Sequence, residues 1–397
     1  MSYNFEQCPA RYNVGSGKWN EMSIFGVSPT EDVIPFSVAD MEFEIAPEIR
    51  EGLKEYIDRY VLGYANPTDT YKQALCRWQK QRHNWKIHPE WILSTPGVVN
   101  AFHNAVQTFT QLGEGVIILT PTYYPMYNAI MANGRVLVDS NLVLKGERYE
   151  IDFADFEAKA KDPNVKMFLF CNPQNPTSRV FTREEVERLG RICLDNDIFV
   201  CSDEIHCDLI MPGHVHTVFA SVSEEFADHS AVCTAASKTF NLAGMQTSAV
   251  IIKNEEARAK FITNQKKLEI NPKCNILGYE ATRLAYEKCG SWHDQCLDII
   301  YKNYQTCVDF FARELPQVKP IRMEGTYLLW MDCRTVGLGY KDLAQVLKQA
   351  RLFFDDGYIF GQSGEGFERW NLACPTHYVE EGLRRMKTAL LPYCKDS

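Results

Sequence analysis

Ile198-Phe-Val-Cys-Ser202-Asp203-Glu-Ile-His206 is a short apolar run that stops abruptly on acidic and imidazole side chains. The same construction stands upstream, where Lys166-Met-Phe-Leu-Phe-Cys171 leads into Asn172-Pro-Gln-Asn175-Pro-Thr177. It recurs downstream, where Ala231-Val-Cys-Thr234 leads into Ala235-Ala-Ser237-Lys238-Thr-Phe-Asn241. Apolar runs also stand at Val116–Leu119, Arg135–Val138 and Ala249–Ile252. Runs apolar at nearly every position are expected of strands buried on both faces of a parallel sheet. Helical patterns alternate with them from about residue 46 to about 285, which predicts an α/β fold with a mostly parallel central sheet sandwiched by helices.

After about residue 290 the order becomes helix, strand Thr326–Asp332, helix, strand Arg369–Ala373, helix. This reads as a smaller α+β domain. The expected organisation is an N-terminal arm over 1–45 that shares in the small domain, a large domain over 46–289 and a C-terminal small domain over 290–397.

In an open α/β sheet, ligands bind beyond the carboxyl ends of the strands. Three polar clusters at three strand ends are therefore expected to converge on one pocket. A lone lysine after a strand is usually a solvated surface residue, and a lone aspartate there is usually a helix cap. Their joint occurrence, in order, on successive strands argues for chemistry. The residue types suit pyridoxal 5′-phosphate (PLP), which needs a lysine for a Schiff base and a carboxylate beside the pyridine nitrogen. Lys238 and Asp203 can supply these, and Asn175 and His206 can hydrogen-bond the phenolic oxygen. A carboxylate ~4 Å from the ring nitrogen is worth roughly 4 kcal/mol at an effective dielectric of 20, enough to keep that nitrogen protonated.

A phosphate also needs a cradle. Ser94-Thr-Pro-Gly97-Val98-Val99-Asn100 opens a helical pattern, and a helix N-terminus preceded by glycine offers free N–H groups to an anion. Tyr123, after the strand Val116–Leu119, can stack on the ring. His214-x-His216 reads as a surface Pro-Gly-His turn rather than a metal site, since no partner ligands are in sight. No metal is expected.

With 45% hydrophobic and 12% aromatic residues the chain can bury a large core, and a net charge of -9 gives no nucleic-acid footprint. The 14 cysteines sit in apolar runs without any Cys-x-x-Cys, so they read as free core thiols in a reducing compartment. The start lacks the regions of a signal peptide, and no apolar stretch approaches the ~20 residues of a membrane span. The expectation is a soluble cytoplasmic protein.

The sequence resembles fold type I PLP enzymes of the class I/II aminotransferase superfamily, and within them the cystathionine β-lyase and cysteine-S-conjugate C–S lyase branch. The stretches that carry the resemblance are Pro35-Phe-Ser-Val-Ala-Asp-Met-Glu-Phe43, Thr95-Pro-Gly-Val-Val99, Cys171-Asn-Pro-Gln-Asn-Pro176, Ser202-Asp-Glu-Ile-His206, Ser237-Lys-Thr-Phe-Asn-Leu-Ala-Gly244, Thr326-Tyr-Leu-Leu-Trp-Met-Asp-Cys333 and Gly366-Phe-Glu-Arg-Trp-Asn-Leu-Ala-Cys-Pro375. They span almost the whole chain.

The resemblance implies that Lys238 carries the cofactor and moves the Cα proton, with Asp203 paired to the pyridinium and Asn175 near the phenolic oxygen. It implies that Tyr123 stacks on the ring, and that Val98 and Val99, behind Gly97, offer N–H groups to the phosphate. Arg369 would clamp the substrate carboxylate, as a planar fork suits. Tyr64 would reach the phosphate of a neighbouring subunit, which implies a homodimer with shared sites. His206 stands where many relatives carry tyrosine. The superfamily signature has Gly or Ser at the position of Ala235 and arginine at the position of Gln246, so other side chains must serve the phosphate. Ser237 is a candidate by proximity.

The expected activity is β-elimination from L-cystathionine or a related L-cysteine S-conjugate, giving pyruvate, ammonia and a thiol. An aminotransferase is the alternative within the superfamily. A regulatory protein that has lost catalysis is a reading of another class, and retention of Lys238, Asp203 and Arg369 together argues against it.

Overall fold

The computed structural model describes residues 2–394 apart from 25, 29, 31 and 270–273. Eight strands form the central sheet: β1 (Ile92–Thr95), β2 (Gly115–Thr120), β3 (Val136–Lys145), β4 (Arg148–Ile151), β5 (Val165–Cys171), β6 (Phe199–Asp203), β7 (Ser230–Thr234) and β8 (Ser248–Ile251). Their spatial order is β1-β8-β7-β6-β5-β2-β3-β4. The five strands β7, β6, β5, β2 and β3 run parallel. Strand β8 is antiparallel to both its neighbours, and β4 returns on β3 as a hairpin. The sheet is therefore mixed at its margins and parallel at its centre.

The all-apolar runs are explained by burial on two faces. Val116 and Ile118 of β2, and Met167 and Leu169 of β5, pack on one side with Ala101, Phe102, Ala105 and Val106. Those four recur with helical spacing along α1 (Val98–Phe109). Ile117, Leu119, Phe168 and Phe170 point to the opposite side, against Phe156, Val186, Leu189 and Ile192. The last three lie on α2 (Arg183–Asp195), whose start is fixed by a reciprocal Thr182–Glu185 capping box.

Three strands of this sheet depart from the sequence reading. β3 runs to Lys145 and is largely half-exposed, because it lies near the sheet margin with only the short β4 beyond it. β1 and β4 leave no such signal, since Ile-Leu-Ser-Thr and Arg-Tyr-Glu-Ile are each half polar and lack the all-apolar run that marks the other strands.

A second, antiparallel sheet contains β9 (Lys319–Pro320), β10 (Leu328–Asp332), β11 (Asp355–Asp356) and β12 (Phe367–Asn371) in the order β9-β10-β12-β11. β10 starts two residues later than expected, because Thr326 is left-handed at φ 64° and cannot continue a strand. β12 stands at Phe367–Asn371 rather than Arg369–Ala373. Ile34–Pro35 pairs in parallel with Leu352–Phe353. Phe36 packs on Phe354 and Trp370 at ring separations of 5.4 and 4.7 Å, so the N-terminal arm joins the C-terminal core.

The 14 cysteines are all free, and 11 of them are buried. Among the described residues no helix is long and apolar enough to cross a membrane.

Candidate active site

The centre of the sheet sets the geometry. After β2 the chain moves outward to β3, then returns to the other side of β2 as β5 and continues through β6 and β7. The crevice between β2 and β5 is the switch point where such sheets bind ligands. In register, Asp203 at the end of β6 lies between Cys171 of β5 and Cys233 of β7. The loops that follow these strands open on one cavity, lined among others by Gly97, Val98, Val99, Tyr123, Asn175, Asp203, His206, Ser237 and Lys238.

Lys238 sits one turn beyond β7, in the short helix Ala236–Thr239. Its Nζ donates to the Ala39 carbonyl at 2.6 Å. Burial pulls the amine down from the ordinary lysine range to about 8, with Asp40 and Asp203 holding it up and Arg369 and Lys18 pressing it further down. Asp203 is moved the other way. Burial lifts its carboxyl to about 7, because the Ile205 N–H at 3.2 Å and the charge of Lys238 compensate only in part. A buried carboxylate with one amide partner is poised for a protonated nitrogen. His206 is buried, and among the described residues its Nδ1 has no hydrogen-bond partner. Burial, then Lys238 and Arg369, keep its ring far below the usual imidazole range, so it is a neutral donor or acceptor.

At the other end of the cavity, Gly97 takes φ 90° and α1 starts with no side-chain cap. The first-turn N–H groups of Val98 and Val99 are thus open to an anion, and the helix dipole favours negative charge there. Ser237, Gln246 and Thr247 also line the cavity. Thr247 was not singled out in the sequence, because a hydroxyl residue nine positions beyond the lysine carries no pattern of its own.

Arg369 of β12 is buried, with Nη1 on the Asn175 Oδ1 at 2.8 Å and Nε and Nη2 on Asp355 Oδ2 at 3.1 and 2.5 Å. Asp355 was missed. It ends the apolar run Leu352-Phe-Phe354, and its value lies in being the cross-strand neighbour of Arg369, which only the fold reveals. Ala39, Lys18 and Tyr327 were also missed as site-forming groups. Tyr64 is fully exposed and does not line the cavity within one chain.

His216 departs from the surface-turn reading. It is buried, with Nε2 2.8 Å from Glu204 Oε2, while His214 stays partly exposed. Glu204 also accepts from Ser202 Oγ and the Phe219 N–H, so the residue after Asp203 is anchored beneath the cavity. Next to it, His83, Cys207 and Asp208 lie close enough to share an ion. Asp208 is occupied instead by hydrogen bonds from Trp78, Thr239 and the His83 ring, at 2.8–2.9 Å.

These features together fit PLP: an amine, an under-compensated carboxyl, an unpartnered imidazole nitrogen, and an uncapped helix start preceded by a glycine at positive φ. The comparisons agree. The aminotransferase class I and II model matches residues 31–386.

The chain belongs to that family.

It is 41% identical to cystathionine β-lyase PatB of Bacillus subtilis over 389 residues, covering 98% of this chain and all of that one. The structure is similar to that of PLP-containing cystalysin from Treponema denticola, with TM-score 0.95 and 44% identity over 99% of this chain and 100% of that one. It is also similar to the PLP-bound C–S lyase of Staphylococcus hominis, with TM-score 0.91 and 29% identity over 98% and 99% of the two chains. PLP is the cofactor of this fold.

Proposed function

We propose that this chain is a PLP-dependent C–S β-lyase that cleaves L-cystathionine or a related L-cysteine S-conjugate to pyruvate, ammonia and a thiol. The observation that carries the reading is the Lys238 amine. It is half-buried, lowered to about 8, and placed in one cavity with Asp203 and His206. The kinship with cystathionine β-lyases and C–S lyases supports the choice of reaction.

PLP, when bound, supplies an electron-poor ring that takes up the electron pair left at the substrate Cα. Lys238 would hold it, Asp203 would keep a proton on its ring nitrogen, and the Asn175 amide and His206 would serve its phenolic oxygen. The first turn of α1, with Ser237, would hold its phosphate, and Tyr123 would cover a ring face. Toward the substrate, Arg369 receives the α-carboxylate, oriented by Asp355 and Asn175. The Lys238 Nζ, much closer to neutral pH than an ordinary lysine, takes the Cα proton. The Cα electron pair then forms a Cα–Cβ double bond as the Cβ–S pair leaves on sulfur, which takes up a proton to give the thiol, and water releases pyruvate and ammonia. No 2-oxo acid is consumed, so pyruvate formation without an added acceptor tests the reading.

The same reading makes the enzyme a cytoplasmic homodimer in which Tyr64 of each copy serves the phosphate of the other. Tyr64 lies wholly outside its own fold, beside exposed Tyr60, Val61 and Leu62, and such an apolar stretch calls for cover. Tyr64→Ala should weaken PLP binding without affecting the fold of the single chain. Unchanged PLP affinity would remove Tyr64 from the site.

A further inference from the structure

Two lysines, Lys18 fully buried and Lys238 half-buried, hang on consecutive carbonyls. Lys238 Nζ donates to Ala39 O at 2.6 Å, and Lys18 Nζ donates to Asp40 O at 2.8 Å. Lys18 comes from the helix Gly17–Ile24 and its side chain has no exposure at all. Its Nζ also meets Asp40 Oδ1 at 3.0 Å and Glu42 Oε1 at 2.8 Å. Arg11 closes the cluster from outside, on Asp40 Oδ2 at 2.6 Å and Glu42 Oε1 at 2.7 Å. A lysine that deep is tolerated only when paired. Burial works against its charge, but Glu42 and Asp40 outweigh that and hold it protonated.

The segment that these charges grip forms one wall of the active site. Ala39 O receives Tyr327 Oη at 2.8 Å as well as Lys238. Asn371 Nδ2 holds the carbonyls of Val38 at 2.8 Å and Asp40 at 2.6 Å, and Asp355 takes the Val38 N–H at 3.0 Å. Val38 is forced to φ 52°, a conformation that a β-branched residue adopts only under outside restraint. The direction of the Ala39 carbonyl is therefore imposed by side chains.

We propose that Lys18 and Asp40 are positioning residues for Lys238: Lys18 holds Asp40, and with it the neighbouring Ala39 carbonyl that the Lys238 Nζ meets, so that one buried cation and one anion are fixed beside that nitrogen. The inference rests on the reading of Lys238 as the cofactor lysine. The charged groups that face Lys238 are Asp40 and Asp203, which favour its protonated form, and Arg369 and Lys18, which oppose it. His206 is neutral there, and Tyr327 is a neutral donor to the shared carbonyl. Lys18 is thus a fixed cation and Asp40 a fixed anion acting on the same nitrogen. Lys18 and Lys238 end on adjacent carbonyls of one segment, so a change at Lys18 reaches the group that Lys238 meets.

The test uses holoenzyme. Borohydride reduction and peptide mapping first establish the labelled lysine; a label elsewhere than Lys238 overturns the proposed function, and this inference with it. With the label on Lys238, the pH midpoint of the visible absorbance change is measured in three variants. Lys18→Met should raise the midpoint by about one unit, Asp40→Asn should lower it by about one unit, and Lys18→Arg should restore it to within about 0.3 unit. Midpoints that stay put, or that move in the same direction in Lys18→Met and Asp40→Asn, overturn the inference alone. If Lys18→Met yields no folded holoenzyme, Asp40→Asn decides: a lower midpoint supports the inference, and an unchanged or higher one overturns it.

Discussion

Asp355 and Arg369 face each other across two antiparallel strands, and one oxygen of the carboxylate holds the guanidinium at both Nε and Nη2. The fork is thereby turned so that Nη1 meets Asn175, at the wall of the cavity. An arginine buried to this degree needs such a counter-charge, and the carboxylate also fixes its plane. Arg369→Lys keeps the charge but loses the fork. It should lower kcat/KM by roughly a hundredfold for every amino-acid substrate, since a bidentate contact is worth a few kcal/mol. Steady-state kinetics on two unrelated substrates checks this, and an unchanged kcat/KM would make Arg369 structural. Asp355→Asn should give a smaller loss, about tenfold, expressed mainly in KM.

Asp203 predicts opposite effects with and without cofactor. Its carboxyl is lifted to about 7 by burial, above its unfolded value, so the folded state binds its proton more tightly than the unfolded chain. Cofactor-free protein should therefore lose stability as pH rises from about 4 to 7, and above that it carries the full cost, up to about 4 kcal/mol. Asp203→Asn removes this cost. The cofactor-free variant should unfold at a higher denaturant concentration than the parent at pH 8, and at a similar one at pH 4. The cofactor-loaded variant should keep most PLP but turn over severely more slowly, because an amide cannot hold the ring nitrogen protonated. Near-normal turnover would reduce Asp203 to a cap for the Ile205 N–H.

Gly97 offers a test of the phosphate cradle. A Cβ there would meet nothing closer than Gln246 Oε1 at 3.5 Å, so space is not the constraint. The constraint is φ 90°, which costs an alanine about 1–2 kcal/mol. Gly97→Ala should move the first turn of α1 and weaken PLP binding by roughly tenfold. Titration of cofactor-free protein with PLP measures it, and an unaltered Kd means that the N–H groups of Val98 and Val99 do not carry the phosphate.

What the sequence disclosed follows from what kind of signal each feature leaves. β5, β6 and β7 were legible because burial on both faces makes every position apolar, and the sudden polar clusters behind them marked Asn175, Asp203 and Lys238. Strand ends shifted where backbone geometry decided them, as at left-handed Thr326. Residues that act by long-range pairing left no pattern. Lys18 looks like a surface lysine until Asp40 and Glu42 surround it, and Asp355 gains meaning only beside Arg369. His216 was read as a turn because its partner Glu204 lies 12 residues earlier, too far for local spacing to reveal.

The central claim, that Lys238 and its neighbours expel sulfur from Cβ, is met most directly by a product assay with L-cystathionine and no 2-oxo acid. Lys238 would take the Cα proton in a lyase and in an aminotransferase alike, so the fate of that proton and of the sulfur separates the two. The account predicts pyruvate and thiol in equal amounts over many turnovers per active site, with L-alanine, which has no leaving group, giving at most a slow half-reaction. Pyruvate formed only once per site, with sustained turnover of several amino acids appearing when 2-oxoglutarate is added, would contradict it and make the enzyme an aminotransferase.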